Sequence, residues 1–359
     1  MAHWIRALLI VLALAAALLP ADSGTVERAY STTVYPRIQR LLTPVSNMVP
    51  FAVFDVLTVV GLVALVVALG RGLRRAIAKR RVRPLLAALY RTTAVAATVY
   101  LVFLALWGFN YRRVPMAERL VLERGAPSNQ QVMTLGFEAI QRMNRLHEEA
   151  HRAGWAADPR RNQSLLDAFA FAQRRLTGLE SAVPGRLKRT IYGPYFRWTA
   201  VDGMVDPFAL EVLANPDLLP FERTFIAAHE WAHLAGFADE SEANFVAWLT
   251  CVRADAPSQY SGWLHLYWQI AAQVKPDDRP RLWEEMAEGP RRDVQAIADR
   301  LRRGQLPFLR RASVQVYDGY LRANRVEEGI RSYGLVIDLV LRARFEDGWV
   351  PVRRTSSDP

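Results

Sequence analysis

The stretch Phe225-Ile226-Ala227-Ala228-His229-Glu230-Trp231-Ala232-His233-Leu234-Ala235-Gly236 carries two histidines and a glutamate in an otherwise uncharged run. Residues four apart share one face of a helix, so both imidazoles can grip one cation while the intervening Glu reaches a water beside it. Pro220 marks a helix start and Gly236 a stop. A glutamate enclosed by apolar neighbours is expensive to bury without a metal or a base as partner.

A site of this kind needs a third protein ligand. Gly236 lets the chain turn, and Asp239-Glu240-Ser241-Glu242-Ala243-Asn244 follows. Glu240 is the preferred ligand, with Asn244 one helical turn later placed to hydrogen-bond a ligand histidine. Glu242 and Asp239 are the alternatives. An acid here that binds no metal would instead favour the helix N-terminus.

A second pentad, His147-Glu148-Glu149-Ala150-His151, has the same spacing. Arg145, Glu149 and Arg152 surround it, and such a charged run reads as a solvated helix face.

Outward from the motif, the chain from 114 to 353 is mainly helical. Helical periodicity covers Asn129 to Ala153, Leu165 to Leu179, Glu240 to Arg253, Tyr260 to Gln273, Arg279 to Arg303, Val314 to Ala323 and Val326 to Arg344. Ile191 to Asn215, with Gly193, Pro194, Gly203 and Pro207 among β-branched and aromatic residues, reads as short strands and turns. Part of it, Trp198 to Val212, is a candidate edge for an extended peptide. The tail 354–359 reads as disordered.

The first 113 residues form a membrane part. Apolar stretches at about 5–20, 51–69 and 92–109 are candidate spans, the latter two of the length a bilayer core requires. The first ends at Pro20 and is read as an anchor in preference to a cleaved signal peptide. Ser23 to Pro50 reads as an external loop on the membrane surface, and Asp55 as a snorkelled or capped acid at a helix end.

The net charge of +11 is concentrated in this part. Arg71, Arg74, Arg75, Lys79, Arg80, Arg81, Arg83 and Arg91 include no acid among them and leave only +3 for the rest. Such a cluster in loop 70–91 belongs on the cytoplasmic side, against Arg112 and Arg113 beyond the third span. The C-terminal part is thereby expected outside the cytoplasmic (inner) membrane of a multi-pass protein. The same cluster fits contact with the lipid bilayer better than nucleic-acid binding. The single Cys251 excludes an intramolecular disulfide and a multi-cysteine metal site.

The string His229 to Trp248, with Gly236-Phe237 and Glu240-x-Glu242-Ala243-Asn244-Phe245, resembles an uncharacterised bacterial family of membrane-anchored proteins with a gluzincin-like peptidase motif. Trp107-Gly108-Phe109-Asn110-Tyr111-Arg112, Pro115, Tyr260-Ser261-Gly262-Trp263, Val316 to Leu321 and Ser332-Tyr333-Gly334 resemble its further signatures. The resemblance implies a helical zincin-like (α+β) domain and selects Glu240 and Asn244.

The expected activity is zinc-dependent peptide hydrolysis. His229, His233 and Glu240 would hold Zn²⁺, and Glu230 would act as general base. His265, Tyr260, Tyr317, Tyr320 and Tyr333 are candidates for stabilising the oxyanion. The alternative is a non-catalytic zinc-binding scaffold or sensor of the envelope. No residue names the peptide or protein substrate, and none bears on oligomeric state.

Overall fold

The computed structural model describes residues 2–324 and 335–354. Two helices, Val53–Lys79 and Arg83–Leu106, are long and apolar enough to cross a membrane. Val60, Leu62, Val63 and Val66 on the first are each more than half exposed. A third helix, Ala2–Leu18, packs on the second of these, and with residues 23–48 it forms a pair sharply bent at 19–22.

Both long helices extend further toward each other than hydropathy indicates. The expected basic loop 70–91 is mostly helical, and only 80–82 turn the chain, with Arg80 in the left-handed conformation. Lys and Arg are good helix formers, so the helices continue past the apolar windows.

Residues 23–48 are not a loop. They form a helical run, Ser23–Val26, Glu27–Val34 and Tyr35–Met48, of which Glu27–Val34 is a π-helix. Pro36 follows the π-helix with no break in helical backbone, and Pro44 is also inside the run. Its buried face is polar and docks on the remainder of the chain. The Gln39 amide bonds Val183 through both N–H and C=O, Thr43 Oγ1 donates to the Leu210 carbonyl, and Asn47 bonds Pro184 and Arg186.

A small sheet stands before the motif helix. Its order is β1 (Leu187–Lys188), β3 (Glu211–Ala214), β2 (Gly203–Asp206), with β1 parallel and β2 antiparallel to β3. The expected strands around 191–215 are therefore present, although Gly193–Thr199 is a short helix and β3, not the segment start, is central.

The sheet is joined to the first long helix by buried charge. Lys188 Nζ lies 2.5 Å from Glu211 Oε2, both side chains fully buried, while Glu211 also accepts from the Phe54 N–H. Asp55 accepts from Thr190 Oγ1 and the Ile191 N–H, so it is capped as expected, by the sheet-side chain.

The core is helical. Pro220–Leu234 and Glu240–Val252 pack together and against Ala256–Gln273, which also carries Asn129–Ala153. The single helix expected over 279–303 breaks into Arg279–Glu285 and Glu288–Gly304. Of the helix expected over 326–344, Leu335–Arg342 is described; its start, the Tyr333 signature and residues 355–359 of the tail lie outside the described residues.

Candidate metal centre

The motif helix begins at Pro220, with the Glu222 carboxylate reaching back to the Leu219 N–H. It ends where Gly236 adopts φ +87°, a conformation costly for a residue with a Cβ. Asp239 then caps the next helix by accepting from the Ser241 and Glu242 N–H groups. Glu240 is thereby the first residue of that helix and returns to the two histidines.

The three ligand atoms converge. His229 Nε2 lies 3.2 Å from His233 Nε2, and Glu240 Oε2 lies 3.3 Å and 3.5 Å from them. Three atoms bound at about 2.0–2.2 Å around one tetrahedral zinc stand roughly 3.3 Å apart, so this spacing fits that ion. His233 Nδ1 faces the Phe237 carbonyl at 2.7 Å, which turns Nε2 toward the cluster. All three side chains are buried.

The remaining acids divide as the geometry demands. Asp239 is the helix cap. Glu242 accepts from the Met116 N–H at 2.5 Å and lies 3.9 Å from Arg119. Neither joins the histidines. The expected bond from Asn244 to a ligand histidine is not formed: Asn244 Nδ2 and His229 Nδ1 are both buried without a hydrogen-bond partner among the described residues. Tyr317 instead donates to Glu240 Oε1 at 2.5 Å and orients that carboxylate.

Glu230 is buried, and its Oε2 has no hydrogen-bond partner among the described residues. Burial pushes its carboxyl up to about 7, although His229 and His233 pull the other way. Gly203, at the start of edge strand β2, lies against this carboxylate, and a Cβ there would collide with it. Burial alone would disfavour a charged His233, yet the Glu240 carboxylate outweighs it and holds the imidazole at about 9. The same histidines keep Glu240 well below the usual carboxylate range despite its burial.

Of the other candidates, His265 stacks on Phe225 with ring centres 3.7 Å apart, and burial pushes it down to about 3. Tyr320 stacks on Tyr317. Tyr260 belongs elsewhere: its hydroxyl donates to Asp293 Oδ2 at 2.5 Å, beside the second pentad.

That pentad is not a plain solvated face. Glu148, Glu149 and His151 are exposed and His147 is half-buried, but the two histidines face buried Asp293 and with it form a second group able to hold a metal. Asp293 is 142 residues beyond His151, so local sequence gives no signal of it.

The motif helix is also held by the N-terminal third. The carbonyls at its C-terminal end, of which that of His233 already accepts from the Gly236 N–H, gain donors from there. Tyr35 donates to the Leu234 carbonyl, Trp107 Nε1 to that of His233, and Arg113, which forms a double hydrogen bond to Glu27, to that of Gly236.

These features define a mainly helical protein with two membrane-length helices and a buried cluster of two histidines and a glutamate. Residues 30–341 match the family DUF3810, described as a protein of unknown function, and the chain belongs to that family. No curated protein and no solved structure matches it.

Proposed function

We propose that this chain is a membrane-anchored zinc metallopeptidase of gluzincin-like type, with His229, His233 and Glu240 holding the ion. The observation that carries this is the convergence of three buried ligand atoms at 3.2–3.5 Å beside a buried, unpaired Glu230 carboxylate oxygen. Zinc there would supply Lewis-acid polarisation of a peptide carbonyl and acidify a water.

The protein's own residues supply the rest. Glu230, raised to about 7, is poised to take a proton from the attacking water and deliver it to the leaving amine. Tyr317 fixes the Glu240 carboxylate. Gly203 supports close approach of backbone to Glu230, and β2, paired on one side only, offers an edge to an extended peptide or protein substrate. The asymmetry between eight bases near the 80–82 turn and the pair Arg112 and Arg113 favours a site outside the cytoplasmic membrane.

One observation favours the rival reading of a zinc-binding scaffold or sensor. Tyr317 occupies the second Glu240 oxygen, and both histidines are less than one-tenth exposed, which restricts substrate entry.

Elemental analysis and peptide-library hydrolysis with the full-length protein in detergent separate the two. A peptidase predicts that Glu230→Gln keeps zinc and loses hydrolysis, while His233→Ala and Glu240→Ala lose zinc at this centre together with hydrolysis. Zinc retained with no hydrolysis by the wild-type chain supports the scaffold.

A further inference from the structure

The second pentad has no role in that mechanism, yet its geometry is specific. His147 and His151 stand one turn apart on Asn129–Ala153, and Asp293 comes from the helix Glu288–Gly304. Asp293 Oδ2 lies 2.8 Å from His151 Nε2 and 3.5 Å from His147 Nε2, with the two imidazole centres 4.2 Å apart.

We propose that His147, His151 and Asp293 form a second divalent-cation site, separate from the buried centre and suited to zinc or another borderline transition-metal ion. Two imidazole nitrogens and one carboxylate oxygen are a donor set for such ions.

Hydrogen bonds from Tyr260 and His151 hold Asp293 Oδ2 but leave His147 as a close neighbour without a good bond to it. The 2.8 Å contact is a hydrogen bond; the 3.5 Å contact is too long for a good one. His147 Nε2 thus points at a carboxylate oxygen that it does not effectively bond, whereas a shared cation would link both nitrogens to that oxygen.

All three groups are held in place before any ion arrives. The His147 ring lies against Gly289, where any Cβ would run into it. His151 meets Trp155 edge-on at 5.0 Å, and Tyr260 fixes Asp293 through its hydroxyl. Such supporting contacts are what keep metal ligands in register. The Asp293 side chain is 10% exposed, that of His147 19% and that of His151 38%, so an ion has a route from solvent and a position left for water.

Glu148, the counterpart of Glu230, is exposed, so it is not an enclosed base beside this site. An ion would clamp the helix Asn129–Ala153 to Glu288–Gly304. From the latter, Arg300 reaches Asp202, next to Gly203, and Glu222 at the start of the motif helix.

The test uses full-length protein in detergent, stripped with a chelator, then titrated with Co²⁺ and separately analysed for Zn²⁺. Wild type should bind two equivalents. His151→Ala and the near-isosteric Asp293→Asn should each bind one, as should His229→Ala, and His151→Ala with His229→Ala none. Gly289→Ala should weaken only the second equivalent, by roughly tenfold or more. Circular dichroism of Asp293→Asn matching wild type separates ligand loss from unfolding.

A single equivalent lost in His229→Ala, two equivalents unchanged in His151→Ala and Asp293→Asn, or no binding at all would overturn the proposal. A single equivalent lost in His151→Ala but kept in His229→Ala would uphold it and refute the buried centre.

Discussion

The chain writes the same five-residue pattern twice and builds two different environments from it. At 229–233 the pentad lies on a buried helix, its third acid comes from the next helix seven residues on, and its internal glutamate is enclosed. At 147–151 the third acid comes from a distant helix, and the internal glutamate faces water. The i, i+4 spacing therefore specifies a pair of imidazoles and nothing more. Whether a general base stands beside them depends on what covers the helix.

The largest test of that contrast exchanges the two internal glutamates. Glu230→Gln should lower peptide hydrolysis by about 10²–10⁴-fold, the usual range for a general base, with zinc retained. Glu148→Gln should leave it unchanged. Equal losses in a hydrolysis assay would erase the distinction between the two pentads.

Proton linkage comes next. In the metal-free protein His233 is raised from 6.5 to about 9, chiefly by Glu240 acting against burial. The sign follows: this charged pair stabilises the fold fully below about pH 6.5, and its contribution is lost as pH rises through about 9. A metal must displace that proton, so affinity at the buried centre should rise about tenfold per pH unit across this window. Burial and the neighbouring His151 push His147 down instead, so it needs no such displacement and the second site should respond less. Cobalt titrations at three pH values, in His151→Ala and His229→Ala backgrounds, measure each slope, and a flat profile at the buried centre would count against the His233–Glu240 coupling.

A smaller effect is expected at Gly203. Its side-chain space is filled by the Glu230 carboxylate, so Gly203→Ala should displace the base and reduce turnover by roughly tenfold to a hundredfold, as small misplacements of catalytic groups do. Zinc at 229–240 should persist. Gly289→Ala, which presses on His147 in the other pentad, should leave turnover alone.

Much of this was legible because it is local. The motif helix between Pro220 and Gly236, the return of Glu240 and the two long apolar helices all follow from patterns within about 25 residues. The segment 23–48 hides its helices from hydropathy because much of its buried stripe is polar: Gln39 and Thr43 satisfy backbone groups at 183 and 210, which no hydropathy pattern records. Asp293 is hidden by distance, 142 residues beyond the histidine it meets. Asn244 shows the converse, a spacing that suggested a ligand bond the side chain does not make.

The smallest prediction concerns the junction between the first third of the chain and the motif helix. Trp107 Nε1 donates to the carbonyl of His233 itself, at 3.1 Å, and Tyr35 to that of the next residue at 2.8 Å. Trp107→Phe removes one donor but keeps a ring to pack against Phe103 and Tyr111, so the loss reports mainly the hydrogen bond. A hydrogen bond of this kind contributes about 1 kcal/mol net, and with Tyr35→Phe the pair should lower stability by about 2 kcal/mol. The His233 carbonyl keeps its bond from the Gly236 N–H, but both carbonyls belong to the turn bearing His233, so metal affinity should weaken at the buried centre and not at His147 and His151. If both sites weakened alike, the caps would be acting through global stability, and the position of His233 would not depend on the residues beside the membrane-length helices.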